Sequence, residues 1–414
     1  VGSEMCIRDS DEILSMLAKE MLDAAEQLPA SQPEVGRIHK YIALAYAAKI
    51  KLYQAYQQDE ITHAVTSINK ELLREVVSLC DQVTASNRYG LLDDFQGLDL
   101  VTNENGKESV FAIQYSMNDG TESAGRINWS NLLNSPGGGS PYGGDGFFLP
   151  SQDLINAYQT DANGLPDFNY QSKSDYSWAV LNNGVYTLQN TTPNVDPRLD
   201  FVVGRPTITW KTYPDKPCEG WVRDKDTYGY NCAKRFWVSP ESSDMFNGWP
   251  WGASQLNWQI IRYADILLWK AEALIELNEG NGLETARDLI NQIRNRARNS
   301  AYVKDFNDHS KYAANYLVNP YPADVWNQDY ARQALRWETR LEKALEGERF
   351  FDLVRWGIVE TTMNNYITAE SDNRIYYANA HFTGGKDEYY PVPNNQYGFS
   401  GGKYVQNPGY APFN

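Results

Sequence analysis

Trp221, Tyr228, Tyr230, Phe236 and Trp237 fall in one run, WVRDKDTYGYNCAKRFW, and Trp249 and Trp251 follow in NGWPWG on either side of Pro250. A flat aromatic face can lie against the apolar C–H face of a pyranose ring while Asn, Asp and Arg side chains bond its hydroxyls. Each such ring offers ~150–250 Å² of surface to bury, so two or three suffice for a weak sugar site. Pro250 stiffens the loop that carries two of them. The competing reading of any one ring is that it packs its loop onto the rest of the protein. On chemistry and position in the chain, the expected ligand-facing residues are Trp129, Trp221, Tyr228, Trp237, Trp249 and Trp251.

Residues suited to bond-making chemistry are scarce by comparison. No GxSxG, HExxH, Walker A or GxGxxG pattern stands in a usable context. Carboxylate pairs of the kind a glycosidase needs can be drawn, Glu346 with Glu348 or Asp153 with Asp161. Among 53 acidic residues such pairs arise by chance. TDANGLPDFN offers the oxygens of Asp161, Asn163 and Asp167, but lacks the sixth-position Gly and twelfth-position Glu of an EF-hand, so a capped turn is expected. Four Cys without a CxxC pair and four His make poor material for zinc. Cys218 and Cys232 bracket a loop that a disulfide could close on export, and Cys80 sits on the apolar side of a helical stretch as a buried thiol. No catalytic residue, metal or cofactor is expected, and the chain is read as a non-enzyme.

The charge balance narrows the partners. Lys and Arg total 37 against 53 acidic residues, a net charge of −16 over 414 residues. Nucleic acid and anionic membrane surfaces are bound by neutralising phosphate with Lys and Arg, so neither is an expected partner. Uncharged sugars fit this balance without strain. No run of about 18 apolar residues occurs, so no spanning helix is expected. The opening VGSEMCIRDS has neither the basic start nor the apolar run of an export signal. Residues 1–10 read as a non-native tail joined to an internal piece of a longer protein.

Helical periodicity positions these residues. Residues 11–28 place Ile13, Met16, Leu17, Met21, Leu22 and Ala25 on one face, and Pro29 and Pro33 end that helix. An Ala-rich helix over 36–57 and a third over 67–85 follow. A second helical zone opens at Ile261, breaks at Gly280 and Gly282, and returns through Ala297, close to the ~34 residues of a TPR unit. Residues 331–346 and 348–356 form further helical segments around Gly347. Between the zones the texture changes to Gly, Asn, Ser, Pro and aromatics, with strand-like runs at 110–115 and 201–209. Eight of the twelve tryptophans fall there. The expected fold is mainly α: a TPR-like helical-pair scaffold with a long, loop-rich aromatic insertion containing short strands. The expected division is a tail at 1–10, N-terminal helices at 11–96, a ligand-binding insertion at 97–258, and C-terminal helices and closing loops at 259–414. Long loops on a rigid scaffold are where binding surfaces are built.

Several stretches in order resemble the SusD/RagB family: GRIHKYIALAYAAKIKLYQAY, LPSQDLINAYQTD, DPRL at 196–199, IIRYADILLWKAEALIELNEG with ARDLINQIRNRA, RLEKALEGERFFDLVRWG, YYPVPNNQ and QNPGY. In these, Arg262, Tyr263, Ala264, Asp265, Glu272, Asn291 and Arg294 stand at the family's positions. The resemblance spans about 11–414 and implies a surface-exposed, lipid-anchored outer-membrane protein. Such a protein captures oligosaccharide and passes it to a SusC-like TonB-dependent transporter. It also implies a longer N-terminus with an export signal and a lipid-bearing Cys, and Cys6 lacks the setting of one. Peptide or glycoprotein capture, as in the RagB branch, is the alternative, with a helical-barrel glycosidase behind it. The matching motifs are read as scaffold, with Arg262–Asp265 and Glu348 or Asp352 with Arg355 as ion pairs on or between helices.

Overall fold

A computed structural model describes residues 7–413 except 123–124, 138, 177–178, 183–184, 189–192, 214–217 and 219; the side chains of 7–10 and 179–188 also lie outside the description. Helix α1 (Ile7–Gln27) pairs with α2 (Lys40–Ala55), and α2 with α3 (Lys70–Ala85). Ala43, Ala45, Ala47 and Ala48 are all essentially buried, so α2 is covered on most of its surface rather than along one stripe. Small side chains there let both neighbours approach closely. Asn69 caps α3 by accepting from the N–H groups of Glu71 and Leu72.

The helical stack then continues across the insertion. Helix α3 packs on Tyr263–Leu277, which pairs with Gly282–Asn299, and both contact Gln328–Glu342. Asn278 adopts a left-handed conformation (φ 51°) that closes the first of these helices. The hydrophobic cluster containing Ala47, Leu52, Val76, Trp269 and Leu353 spans both helical zones, so they share a core.

Within the insertion, the run at 110–115 forms a strand, Ser109–Ile113, antiparallel to Trp258–Arg262. The run at 201–209 departs from expectation. Asp196 accepts from the Arg198 N–H at 3.0 Å and Pro197 precedes a short helix, Arg198–Val202, before a two-residue strand pairs with Cys232–Ala233. Two further cores include residues of the insertion. Phe95, Tyr158, Leu199 and Val202 meet Leu341 and Ala344 of the scaffold, and Tyr142, Trp210, Trp221 and Trp237 cluster with Cys218 and Cys232. Cys80, Cys218 and Cys232 are free and buried. Cys218 and Cys232 lie in the same cluster. No described helix is long and apolar enough to cross a membrane.

Charge is buried at the junction of insertion and scaffold. Arg198, Arg262, Arg294 and Arg296 are between 0% and 5% exposed and interleave with Glu108, Glu338 and Glu342. The expected Arg262–Asp265 pair is corrected. The Arg262 backbone N–H donates to Asp265 at 2.7 Å as a helix cap, while its guanidinium goes to Glu108, Glu342 and Glu346. Asp265 is bridged by Lys343 instead. Asp352 does pair with Arg355 at 2.9 Å, while Glu348 binds Lys49 at 2.6 Å and Lys343 at 3.2 Å.

Candidate functional site: an exposed indole platform

Trp129, Trp249 and Trp251 lie open to solvent, 43%, 58% and 49% exposed. Trp129 and Trp249 meet edge to face, with ring centroids 4.9 Å apart. The Trp249–Pro250 bond is cis. Backbone tethers hold these rings in place. The Asn128 N–H donates to the Ser254 carbonyl at 2.9 Å, and the Asn131 amide donates to the carbonyls of Gly252 and Phe236 at 3.1 and 3.3 Å. The segment bearing Trp129 is thereby fixed to the loop bearing the other two. Gly143, at φ +69°, lets its backbone approach Trp251, because a Cβ there would stand 3.2 Å from the indole. Two residues on, Asp145 pairs with Arg223 at 2.8 Å, both side chains exposed. The Asp145 N–H donates to the Leu132 carbonyl at 3.3 Å, which ties this pair to the segment bearing Trp129.

The remaining expected residues divide. Tyr228 is 43% exposed, ends the short helix Lys225–Tyr228, and its ring lies 6.2 Å from that of Tyr376. Among the described residues no ring contact joins it to Trp249 or Trp251. Trp221 and Trp237 are corrected: each is 1% exposed, so neither offers a face to a ligand. They pack with Tyr142 and Trp210, whose indole N–H donates to the Tyr142 hydroxyl at 2.8 Å, which donates to the Val238 carbonyl at 2.6 Å. Replacing Trp221 by Ala should therefore cost about 3–5 kcal/mol of stability through lost burial and a cavity. Urea denaturation measures it, and a midpoint equal to wild type would place the ring outside the core. Trp210 is likewise buried, Trp258 is half-buried with Phe236 stacked on it at 4.4 Å, and Trp178 lies outside the described residues.

Asn131, Gly143, Asp145 and Arg223 were not singled out from the sequence. The Gly-rich run SPGGGSPYGGDGFF marks close backbone approach around Gly143 and Asp145 without saying to what, and no sequence pattern marks Asn131 or Arg223.

The carboxylates considered for hydrolysis are engaged elsewhere. Glu346 binds Arg262 and Arg235, Glu348 binds two lysines, and Asp153 binds Arg340 at 2.5 Å. Asp161 accepts from the N–H groups of Asn163 and Leu165, closing the turn expected there. Among the described residues, no cluster of His, Cys, Asp and Glu could hold a metal ion. A cavity of about 900 Å³ lies among Tyr53, Phe350, Phe382 and Tyr389, and none of the three exposed tryptophans lines it. The platform is an open face rather than a pocket, a shape suited to part of a long chain.

A helical-pair scaffold whose loops carry an exposed aromatic face is the class that this fold defines. The SusD family model matches residues 107–410, and the chain belongs to that family. Solved structures agree in fold. A SusD homolog from Bacteroides thetaiotaomicron VPI-5482 is 17% identical, covering 96% of this chain and 70% of that one, with a TM-score of 0.65. A SusD-like protein from Bacteroides fragilis NCTC 9343 is 21% identical over 96% and 71%, at 0.62. Surface glycan-binding protein A from Bacteroides fluxus is 18% identical over 97% and 70%, at 0.59. No curated protein matches the chain.

Proposed function

We propose that this chain binds glycan through Trp129, Trp249 and Trp251, with Asp145 and Arg223 bonding sugar hydroxyls, and performs no chemistry on it. The carrying observation is that three indoles are exposed together and tethered by Asn128 and Asn131. Exposed aromatic surface of this size is uncommon without a partner. The name of the Bacteroides fluxus relative points the same way. Tyr228 is a peripheral contact in this reading. The family further supports a place at the cell surface, lipid-anchored in the outer membrane, with a SusC-like TonB-dependent transporter as partner.

Gel retardation and tryptophan fluorescence against a panel of neutral polysaccharides test the reading. At least one polysaccharide should retard the protein and shift its emission, with no new reducing ends. Peptide capture with no glycan retained would replace the sugar ligand, and release of reducing sugar would refute the absence of chemistry.

A further inference from the structure

The cavity of about 900 Å³ lies where α1, α2 and the helix Arg349–Arg355 meet the closing segment 380–390. Its volume is that of a small-molecule site. Tyr53, Phe350, Phe382, Tyr389 and Tyr410 supply aromatic wall. Asp11, Asp387 and Glu388 are its acidic lining groups, against Arg355 and His381.

Two of these charges are already answered. Arg355 donates to both Glu272 and Asp352. Asp387 accepts from the Thr383 N–H at 2.7 Å and pairs with Lys386 at 3.2 Å. Glu388 differs, although it is only 9% exposed. One of its carboxylate oxygens accepts the Gly385 N–H at 3.1 Å, and the other is buried without a hydrogen bond. No ion pair reaches Glu388 among the described residues. His63 packs edge-on against the Tyr389 ring at 4.7 Å, but burial holds its imidazole below the ordinary histidine range. At neutral pH it therefore brings Glu388 no counter-charge. Burial, then the charges of Glu388 and Asp11, push the Tyr389 hydroxyl above its ordinary range, so both carboxylates act on that one ring. A buried carboxylate left unpaired is costly, and the faces of Tyr and Phe attract a cation.

We propose that this cavity is a second binding site, separate from the indole platform, for an organic monocation. The ligand is a protonated amine on an apolar body, with Glu388 as its counter-charge and the aromatic wall around it. An anion would meet three carboxylates, and a neutral ligand would leave Glu388 unanswered. Two sources share this chemistry, an amino sugar and an arylalkyl amine.

Calorimetric titration of the full chain at pH 7 with glucosamine, 2-phenylethylamine, 2-phenylethanol and phenylacetate tests the site. One amine or both should bind, and which one binds identifies the source. The alcohol should bind ~10-fold or more weakly than its amine, and phenylacetate not at all. Glu388→Gln keeps the shape and the Gly385 bond. It should weaken amine binding ~10-fold or more without lowering the melting temperature, because it removes an unpaired buried charge. Tyr389→Leu keeps an apolar wall and should weaken the amine several-fold while sparing the alcohol. The variant lacking Trp129, Trp249 and Trp251 should bind the amine as wild type does. No amine binding, equal affinity for amine and alcohol, or a preference for phenylacetate would each overturn the proposal. So would amine affinity unchanged in Glu388→Gln or in Tyr389→Leu, or lost with the three tryptophans. A lowered melting temperature in Glu388→Gln would do the same, by giving the carboxylate a structural partner.

Discussion

Glu342→Gln should destabilise the protein by about 3–5 kcal/mol, because it removes the shared counter-charge of three buried guanidinium groups. Glu342 is fully buried on Gln328–Glu342 and accepts from Arg296 at 2.5 Å, Arg262 at 3.0 Å and Arg198 at 3.2 Å. Arg198 belongs to the insertion, Arg262 opens one scaffold helix, and Arg296 lies on its return helix. One carboxylate therefore ties three elements at the junction. Glutamine keeps the shape but leaves the cluster one negative charge short in a low-dielectric setting. Glu338 and Glu108, already shared with Arg294, Arg198, Arg262 and Arg296, are committed and cannot replace it.

The same carboxylate sets a pH signature. Burial alone would raise its pKa, but the surrounding guanidinium groups of Arg296, Arg262 and Arg198 outweigh burial and lower it to about 2 from an ordinary 4.5. A folded pKa below the unfolded one means stability that is complete above about 4.5 and is lost as pH falls toward about 2. Wild type should lose this increment across that window, and Glu342→Gln should lack it. Urea midpoints at pH 7 and across pH 5 to 2 decide the matter. A change below ~1 kcal/mol at neutral pH would show that the cluster does not depend on this charge.

The second large effect is on binding. Trp129→Ala, Trp249→Ala and Trp251→Ala together should abolish retention on any polysaccharide that retards the wild type. Singly, each should weaken it by ~5–30-fold, the range for truncating an aromatic anchor worth ~1–2 kcal/mol. Because all three rings are roughly half exposed, their loss should leave the urea midpoint close to wild type. Trp221→Ala is the contrast: it should cost stability and alter binding only through the fold. Full retention by the triple variant would place the ligand elsewhere, with the platform left unexplained.

Much of the scaffold was legible in the chain. Alanine spacing in α2, the amphipathic pattern of α1 and the break at Gly280 and Gly282 each report a local rule, a packing face or a helix terminus, although the first helix closes two residues earlier than Gly280, at Asn278. The helix Val359–Ser371 was not anticipated. Its sequence, VETTMNNYITAES, is rich in β-branched residues and Asn, which favour helix weakly. It forms where it packs against Arg349–Arg355 and Gln152–Ala157. The strand-like run at 201–209 is strand only at Val203–Gly204, because Pro197 and the Asp196 side chain start a short helix that takes in Phe201 and Val202.

The candidate platform was legible only as a composition. The sequence determined that the insertion would be aromatic, that the chain would be strongly acidic, and that helical pairs would hold it. Only the tertiary structure decided which indoles face water. Trp221 and Trp249 are the same residue type in neighbouring loops, yet one is 1% exposed and the other 58%. The difference comes from partners distant in the chain. Tyr142 and Trp210 close over Trp221, whereas Asn131 and Gly143 support Trp251 and its loop from behind. Helix periodicity is written in residues three and four apart. Burial of a single ring depends on contacts dozens of residues away, and these exist only once the chain has closed on itself.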